Sequence, residues 1–271
     1  MEYVTAKGVE VPALGFGTAR MDTDDERYRA VSTALETGYR HVDTAQVYGS
    51  ERAVGDALAD SDVDRADVFL TTKLADGNRD DRSVRESTRA SLDRLDTEYV
   101  DLLLIHAPND DVSHEETLNA MSDLRDDGLV RHVGVSNFSV EQTREAEALS
   151  DAPILTNQVE YHVRHRQDDL LAYCVENDVL LTAYSPLGVG DVLGDESVQA
   201  VAERHGKAAS QVAIRWLLQQ PTVAAIPMSS DPAHVRENFD VFDFELSGDE
   251  MRELFALGEA VDDDFAARLG L

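Results

Sequence analysis

The chain has 271 residues, 42% of them hydrophobic, and its 54 acidic against 24 basic residues give a formal net charge of −30. That length and apolar content can bury one large core, and the charge excludes nucleic acid and anionic lipid as partners because both would be repelled. Only Lys7, Lys73 and Lys207 are lysines. Negative charge this dense self-repels unless salt screens it, so a halophilic protein from a salt-accumulating cytoplasm, stable in molar KCl, is expected. The single cysteine, Cys174, lies in the helical pattern DDLLAYCVEND. It has no intramolecular partner and reads as an inert thiol in a reducing compartment. MEYVTAKGVEVP lacks the basic and long apolar regions of a signal peptide, and no run approaches the ~20 apolar residues of a membrane span. A cytoplasmic protein is expected.

In chain order, VTAKGVEVPAL predicts a hairpin turning at Lys7 and Gly8, ahead of the main sheet. Eight short apolar runs follow: LGFGTA, HVDTA, VFLTTKL, VDLLLIHAP, HVGVSNF, ILTNQVEY, LLTAYSPL and VAAIPMS. Stretches of helical period separate them, among them DERYRAVSTALETGY, SERAVGDALADS, DRSVRESTRASLDRL, SHEETLNAMSDLRDDG, SVEQTREAEALS and RQDDLLAYCVENDV. SVQAVAERHGKAASQVAIRWLLQQ reads as one long helix before the last strand, and DPAHVRENF as another after it. Eight strands each followed by a helix predict an α/β fold, a closed parallel (β/α)8 TIM barrel with a short N-terminal β-hairpin. No Pro/Gly/Ser linker divides residues 1–271, so a single domain is expected. An open doubly wound sheet would carry a G-x-G-x-x-G loop after its first strand, and LGFGTARMDTDDER does not supply that spacing.

In such a barrel the chemistry sits where strands finish. Those ends carry Asp43, Lys73, His106, Ser136 with Asn137, Gln158 with Glu160, Tyr184 with Ser185, and Pro227 to Ser230. Apolar strand bodies ending in polar residues describe a polar mouth over an apolar interior. Lys73 weighs most, because an ammonium inside an apolar run must be paired or lose its charge. Asp43 is the obvious partner. A cation beside Tyr48 favours the phenolate and brings the hydroxyl toward the range of a working acid. A neutral His106 can donate to a carbonyl oxygen held near Tyr48. The set is an acid with an oxyanion site, and it contains no nucleophile.

These motifs resemble the aldo-keto reductases over essentially the whole chain. HVDTAQVYGSERAVGDAL resembles the first signature, with Asp43 and Tyr48 in catalytic positions; VFLTTKL and LLLIHAP carry Lys73 and His106, completing the family's catalytic four. VGVSNF, NQVEYH, AYSPLG and IPMSSDPAHVRENFDVFDFEL resemble the segments that hold the nicotinamide dinucleotide. Length and short loops are most similar to the compact prokaryotic branch that includes diketogluconate and methylglyoxal reductases. The resemblance implies NAD(P)H-dependent reduction of an aldehyde or ketone, a small-molecule carbonyl substrate, and a monomer. It places Ser136, Asn137 and Gln158 on the nicotinamide carboxamide and stacks Tyr184 on the ring. Ser185, Pro186, Leu187 and Gly188 would run along the pyrophosphate, and Thr18 would belong to the cofactor site. Ile226, Pro227, Met228, Ser229, Ser230, Asp231, His234, Glu237 and Asn238 would form the adenosine end.

Three departures matter. Met228 and His234 stand where the family commonly has a lysine and an arginine for the 2′-phosphate of NADP, and Asp231 between them would repel a phosphate but accept from a ribose hydroxyl. A lean toward NADH follows, unless Arg236 replaces the lost charge. Ala107 and Pro108 follow His106 where a tryptophan is frequent, which widens the pocket; the sole tryptophan, Trp216, reads as core. Arg20, Ala19 and the tail DDDFAARLGL are further candidate walls, and Arg20 either binds an acidic substrate or is a surface arginine. His162 and His165 are left as solvent-facing or pocket-lining. Two other function classes are weighed: a non-catalytic nicotinamide-binding regulatory subunit, as resemblance to potassium-channel β subunits allows, and a metal-dependent barrel hydrolase. The full catalytic set argues against the first. His41 and His132 start their strands, on the wrong face for a shared metal site, which argues against the second.

Overall fold

The computed structural model describes residues 1–109 and 111–258. At the N-terminus β1 (Tyr3–Ala6) and β2 (Val9–Pro12) pair antiparallel, with Ala6 opposite Val9. Lys7 and Gly8 make the expected turn at φ 50° and 76°, the left-handed pair that matches strand twist in a two-residue loop.

The apolar runs form one curved sheet of eight parallel strands in chain order. They are β3 (Phe16–Gly17), β4 (His41–Asp43), β5 (Phe69–Leu74), β6 (Val100–Ile105), β7 (Val130–Ser136), β8 (Ile154–Glu160), β9 (Leu180–Tyr184) and β10 (Val223–Ala225). At its two edges, the Gly15 N–H donates to the Ala225 carbonyl and the Ala225 N–H to the Ala13 carbonyl, both at 2.8 Å. Leu14 and Ala225 form a parallel bridge there.

Helices α1 (Asp24–Thr37), α2 (Glu51–Ala59), α3 (Asp81–Leu95), α4 (His114–Asp126), α5 (Val140–Leu149) and α6 (Asp168–Asn177) form the crossovers. Side-chain caps start several of them: Thr23 accepts from the Glu26 N–H, Asp80 from Ser83, and Ser139 forms a reciprocal box with Gln142. The stretch expected as one helix over 197–220 is two, α7 (Glu196–His205) and α8 (Ala209–Leu218). Gly206 ends α7 at φ 63° with its N–H on the Ala202 and Glu203 carbonyls, the left-handed cap that stops a helix. After α9 (Pro232–Phe239) comes α10 (Gly248–Phe255), which the strand-and-helix count passed over although Ser247 and Glu250 form a capping box.

Each strand has two faces because side chains alternate. In β6, Leu103 and Ile105 join the apolar layer under the helices with Leu118, Met121 and Leu124. Leu102 and Leu104 face the other way and pack with Phe69, Leu155, Leu180 and Ala224 against Ala6 and Val11 of the hairpin. The hairpin therefore covers the end of the inner face where strands begin, and the end where they finish is left for polar chemistry. Trp216 is fully buried between Tyr161 and Phe255, ring centroids 5.4 and 4.7 Å away, as core. Cys174 is buried too, and burial pushes its thiol up to about 12. All three lysines are engaged: Lys7 with Glu147 and the Asn177 carbonyl, Lys73 with Asp43, Lys207 with Asp240 and Asp243. Among the described residues no helix is long and apolar enough to cross a membrane, and no His/Cys/Asp/Glu cluster has metal-binding geometry.

Candidate active site

Period-two alternation puts Lys73 on the inner face of β5 with Thr71 and Phe69, and Asp43 on the inner face of β4 with His41. There the Lys73 side chain is 1% exposed and that of Asp43 3%. The Lys73 ammonium donates to Asp43 Oδ1 and to the Thr44 carbonyl, the latter at 3.1 Å. Asp43 Oδ2 accepts from Gln158 Nε2 at 2.8 Å. Ammonium, carboxylate and amide thus join three strand ends into one buried network, which a lone buried charge would need in order to persist.

Tyr48 stands above this network on a 3-10 turn, Gln46–Tyr48, closed by Gly49 at φ 65°. Gln46 pins the turn to the end of β5, its Oε1 accepting from the Ala75 N–H and from Asn78 Nδ2, both at 2.9 Å. Arg27 holds the other side through the Tyr48 carbonyl at 3.1 Å. The Lys73 ammonium lies 5.1 Å from the Tyr48 ring centroid, and the His106 ring meets Tyr48 edge-on at 5.6 Å and 81°.

The electrostatics correct one expectation. Burial raises the Tyr48 phenol above its ordinary value and outweighs the opposite pull of Lys73, so the group is held protonated rather than brought toward phenolate. Burial, then the charge of Lys73, lowers His106. At neutral pH the pair is a phenol and a neutral imidazole, both able to donate.

These side chains form the end of a cavity of about 650 Å³ over the strand ends. Of the residues expected there, Asp43, Tyr48, His106, Ser136, Asn137, Gln158, Tyr184, Ser185, Pro186, Leu187, Ile226, Pro227, Met228, Ser229, His234, Glu237 and Asn238 line it. Lys73 lies beneath, behind Asp43. Thr18 is outside the lining because its hydroxyl is occupied by the Asp43 carbonyl and Ser50 Oγ, at 3.0 and 3.1 Å. Gly188 is one layer back, packed under His162. Ser230 and Asp231 are exposed beyond the lining, and Asp231 Oδ1 accepts from the Ala233 N–H as the N-cap of α9.

Asn137 is more committed than expected. Its Nδ2 donates to the His106 carbonyl and its Oδ1 accepts from the Tyr184 hydroxyl, each at 2.9 Å, at a backbone φ of 62°. The amide ties together the ends of β6, β7 and β9. Ser136 donates to the Gln158 carbonyl at 2.7 Å. Val189, Gly190, Leu193 and Ser210 also line the cavity and were not anticipated. The glycines of GVGDVLG marked a loop there, whereas Ser210 was hidden inside the apparent long helix. Ala107 and Pro108 are not among the lining residues. His162 is buried, with Nε2 3.6 Å from Glu160, and His165 is exposed. The tail DDDFAARLGL falls outside the described residues.

At the far end of the cavity Asn238 Oδ1 is buried with no hydrogen-bond partner. An unpaired buried acceptor costs free energy until a donor arrives. With the Tyr184 ring also in the lining, the cavity offers an acceptor suited to an adenine amino group and a flat face suited to a nicotinamide ring.

A model of the Aldo/keto reductase family matches residues 13–197 and 191–259. The chain is 39% identical over 254 residues to the glyoxal reductase of Bacillus subtilis, covering 93% of this chain and 91% of that protein. Its structure is similar to that of a putative 2,5-diketo-D-gluconic acid reductase B, with a TM-score of 0.93, 44% identity, and coverage of 96% and 92% of the two chains. It is also similar to an aldo-keto reductase of Bombyx mori in complex with NADP, with a TM-score of 0.89, 30% identity, and coverage of 97% and 95%.

Proposed function

The chain belongs to the aldo/keto reductase family, and from that premise we propose that Tyr48 gives the proton, His106 orients the oxygen, and Asp43 with Lys73 sets both in place. The protein is an NAD(P)H-dependent oxidoreductase that reduces carbonyl groups. The dinucleotide, when bound, supplies the hydride.

The observation that carries the assignment is the buried Lys73–Asp43 pair under two donors that meet edge-on at the closed end of the cavity. A carbonyl oxygen lodged between the Tyr48 hydroxyl and the His106 N–H accepts from both. As the carbonyl carbon gains electrons, negative charge develops on that oxygen, and two fixed donors stabilise it without reorganisation. The Tyr48 O–H bond then breaks toward the oxygen to give the alcohol, and the resulting phenolate faces the Lys73 ammonium. Gln158 restrains Asp43 from the opposite side, which keeps the ammonium centred. The complete catalytic set gives the regulatory alternative no support.

Asn238 and the Tyr184 ring are the groups that would hold the two ends of the dinucleotide, with Ser185 to Leu187 between. Met228 and His234 line the adenosine end, and among the described residues the cavity lining there has no lysine or arginine. Arg236 turns back to the Pro232 carbonyl, 3.2 Å away. This supports a lean toward NADH or dual specificity, and the missing cations carry most of the argument because one oxygen of Asp231 is engaged in the cap of α9. The edge-to-edge bonds of Ala13 and Gly15 with Ala225 support a closed barrel in one domain. A cytoplasmic monomer acting on small-molecule carbonyls is the form this reading assigns.

The test is steady-state reduction of an aldehyde and ketone panel in molar KCl, with NADH and NADPH side by side and Tyr48→Phe as control. Turnover lost by a factor of about 10² or more in the variant is expected. Tight dinucleotide binding with no turnover of any carbonyl would defeat the assignment.

A further inference from the structure

Arg20 follows β3 in a turn, at φ 63°, and lines the cavity. The turn is fixed from below, since the Thr18 N–H and hydroxyl both donate to the Asp43 carbonyl at 3.0 Å. A left-handed backbone at a non-glycine residue is a local cost that the surrounding structure must hold. Arginines in this acidic chain commonly end on a carboxylate, as Arg65 and Arg131 do on Asp101, Arg94 on Glu51 and Arg164 on Asp195. Arg20 makes no ion pair and no hydrogen bond among the described residues. It is also the only arginine or lysine in the cavity lining among the described residues.

Its position along the cavity decides which ligand it meets. Burial raises both the Tyr48 and the Tyr184 phenols, and the charge of Arg20 is close enough to oppose that rise at each; neither residue is at the adenosine end. The guanidinium therefore overlooks the reacting end. Asp43, the carboxylate in the lining there, is paired with Lys73, which leaves Arg20 as a lining cation with no carboxylate partner among the described residues, on a protein of net charge −30. An anionic substrate approaching such a protein is repelled everywhere except where a cation is left unpaired. A planar guanidinium with free donors matches a carboxylate in two parallel hydrogen bonds.

We propose that Arg20 is a specificity-determining residue that binds a carboxylate on the substrate, so that the preferred substrates are oxo acids rather than neutral carbonyl compounds. This rests on the carbonyl-reductase reading above and names its substrate class. The carboxylate would pair with Arg20 while the carbonyl oxygen reaches Tyr48 and His106.

The test uses two acid and ester pairs of different reach: succinic semialdehyde with its methyl ester, and 4-carboxybenzaldehyde with methyl 4-formylbenzoate. For wild type, Arg20→Gln and Arg20→Lys, kcat/KM is measured for all four at one salt concentration. The acid-to-ester ratio is expected to fall at least about 10-fold in Arg20→Gln for at least one pair and to recover in part in Arg20→Lys, mainly through KM. In wild type, raising KCl should increase KM for that acid more than for its ester, because chloride competes for the guanidinium and screens it. Acid-to-ester ratios that are the same in wild type and Arg20→Gln for both pairs would overturn the proposal. A wild type that reduces other carbonyls of the panel but neither of these acids would also overturn the proposal, whereas one that reduces no carbonyl at all would overturn the reductase reading itself.

Discussion

Replacing Lys73 with methionine tests whether the buried pair is both a structural and a chemical element. The substitution leaves the Asp43 carboxylate 3% exposed with Gln158 Nε2 as its remaining side-chain donor, and leaves the Thr44 carbonyl without the ammonium. Breaking one side of such a pair costs about 3–5 kcal/mol. For 271 residues the unfolding entropy is about 0.6 kcal/mol/K, so Tm should fall by about 5–9 °C. Asp43→Asn should cost a similar amount, because it strands the ammonium. The double variant Asp43→Asn/Lys73→Met removes both charges and should recover most of the Tm, a coupling that sites in contact show and independent sites do not. Activity should not recover: without Lys73 the phenol of Tyr48 moves further up, and turnover should stay down by about 10² or more in both variants that lack it. Differential scanning calorimetry and steady-state rates on the same preparations read both. A double variant whose Tm loss equals the two single losses added together would refute the pairing argument. A double variant that regains turnover would refute the chemical role of the pair.

Three further outcomes follow from the same structure. His41, His106, His132 and His162 are each held below the ordinary histidine value, mainly by burial. The unfolded chain therefore binds more protons than the folded one below about pH 6.5, and stability should fall as pH drops from about 7 to 5; a constant Tm over that window would contradict the burial of these rings. Cys174, with its thiol pushed up to about 12, should be silent to a thiol-specific disulfide reagent at pH 8 and should titrate as one thiol per chain once denatured. Reaction in the folded protein would mean the helix face around it opens. Because screening shortens from about 30 Å at 0.01 M salt to about 3 Å at 1 M, Tm should rise with KCl as the −30 charge is relieved. A Tm indifferent to salt would remove the halophilic reading.

Much of this was legible because barrel strands report their own ends. VFLTTKL is apolar except where Lys73 must find a partner, and β5 places it on Asp43 as a period-two pattern requires. The hairpin at Lys7 and Gly8 was legible from its turn residues. What escaped was governed by tertiary context. Gly206 split a helix whose apolar period ran through the break, because a left-handed cap leaves no trace in periodicity. The direction of the Tyr48 shift depended on the balance of burial against Lys73, which no sequence spacing encodes. Asp231, read from the sequence as a ribose acceptor, also caps α9 through Oδ1, a second use of the carboxylate that the sequence reading did not include. Ser210 joins the lining through tertiary contacts of α8, bonding to Glu237 on α9 and packing near the 188–194 segment.

The three paired lysines have a bearing on how such an enzyme survives its own chemistry. Aldehydes and dicarbonyls condense with unprotonated amines to give Schiff bases and then irreversible adducts. Lys7, Lys73 and Lys207 are each held against a carboxylate, with side chains no more than 27% exposed, so none presents an open amine. A surface that keeps its charge in carboxylates and guanidinium groups, and its few amines occupied, gives reactive carbonyls little amine to attack. The scarcity of lysine thus serves a carbonyl-reducing catalyst as a passivation against the compounds it turns over.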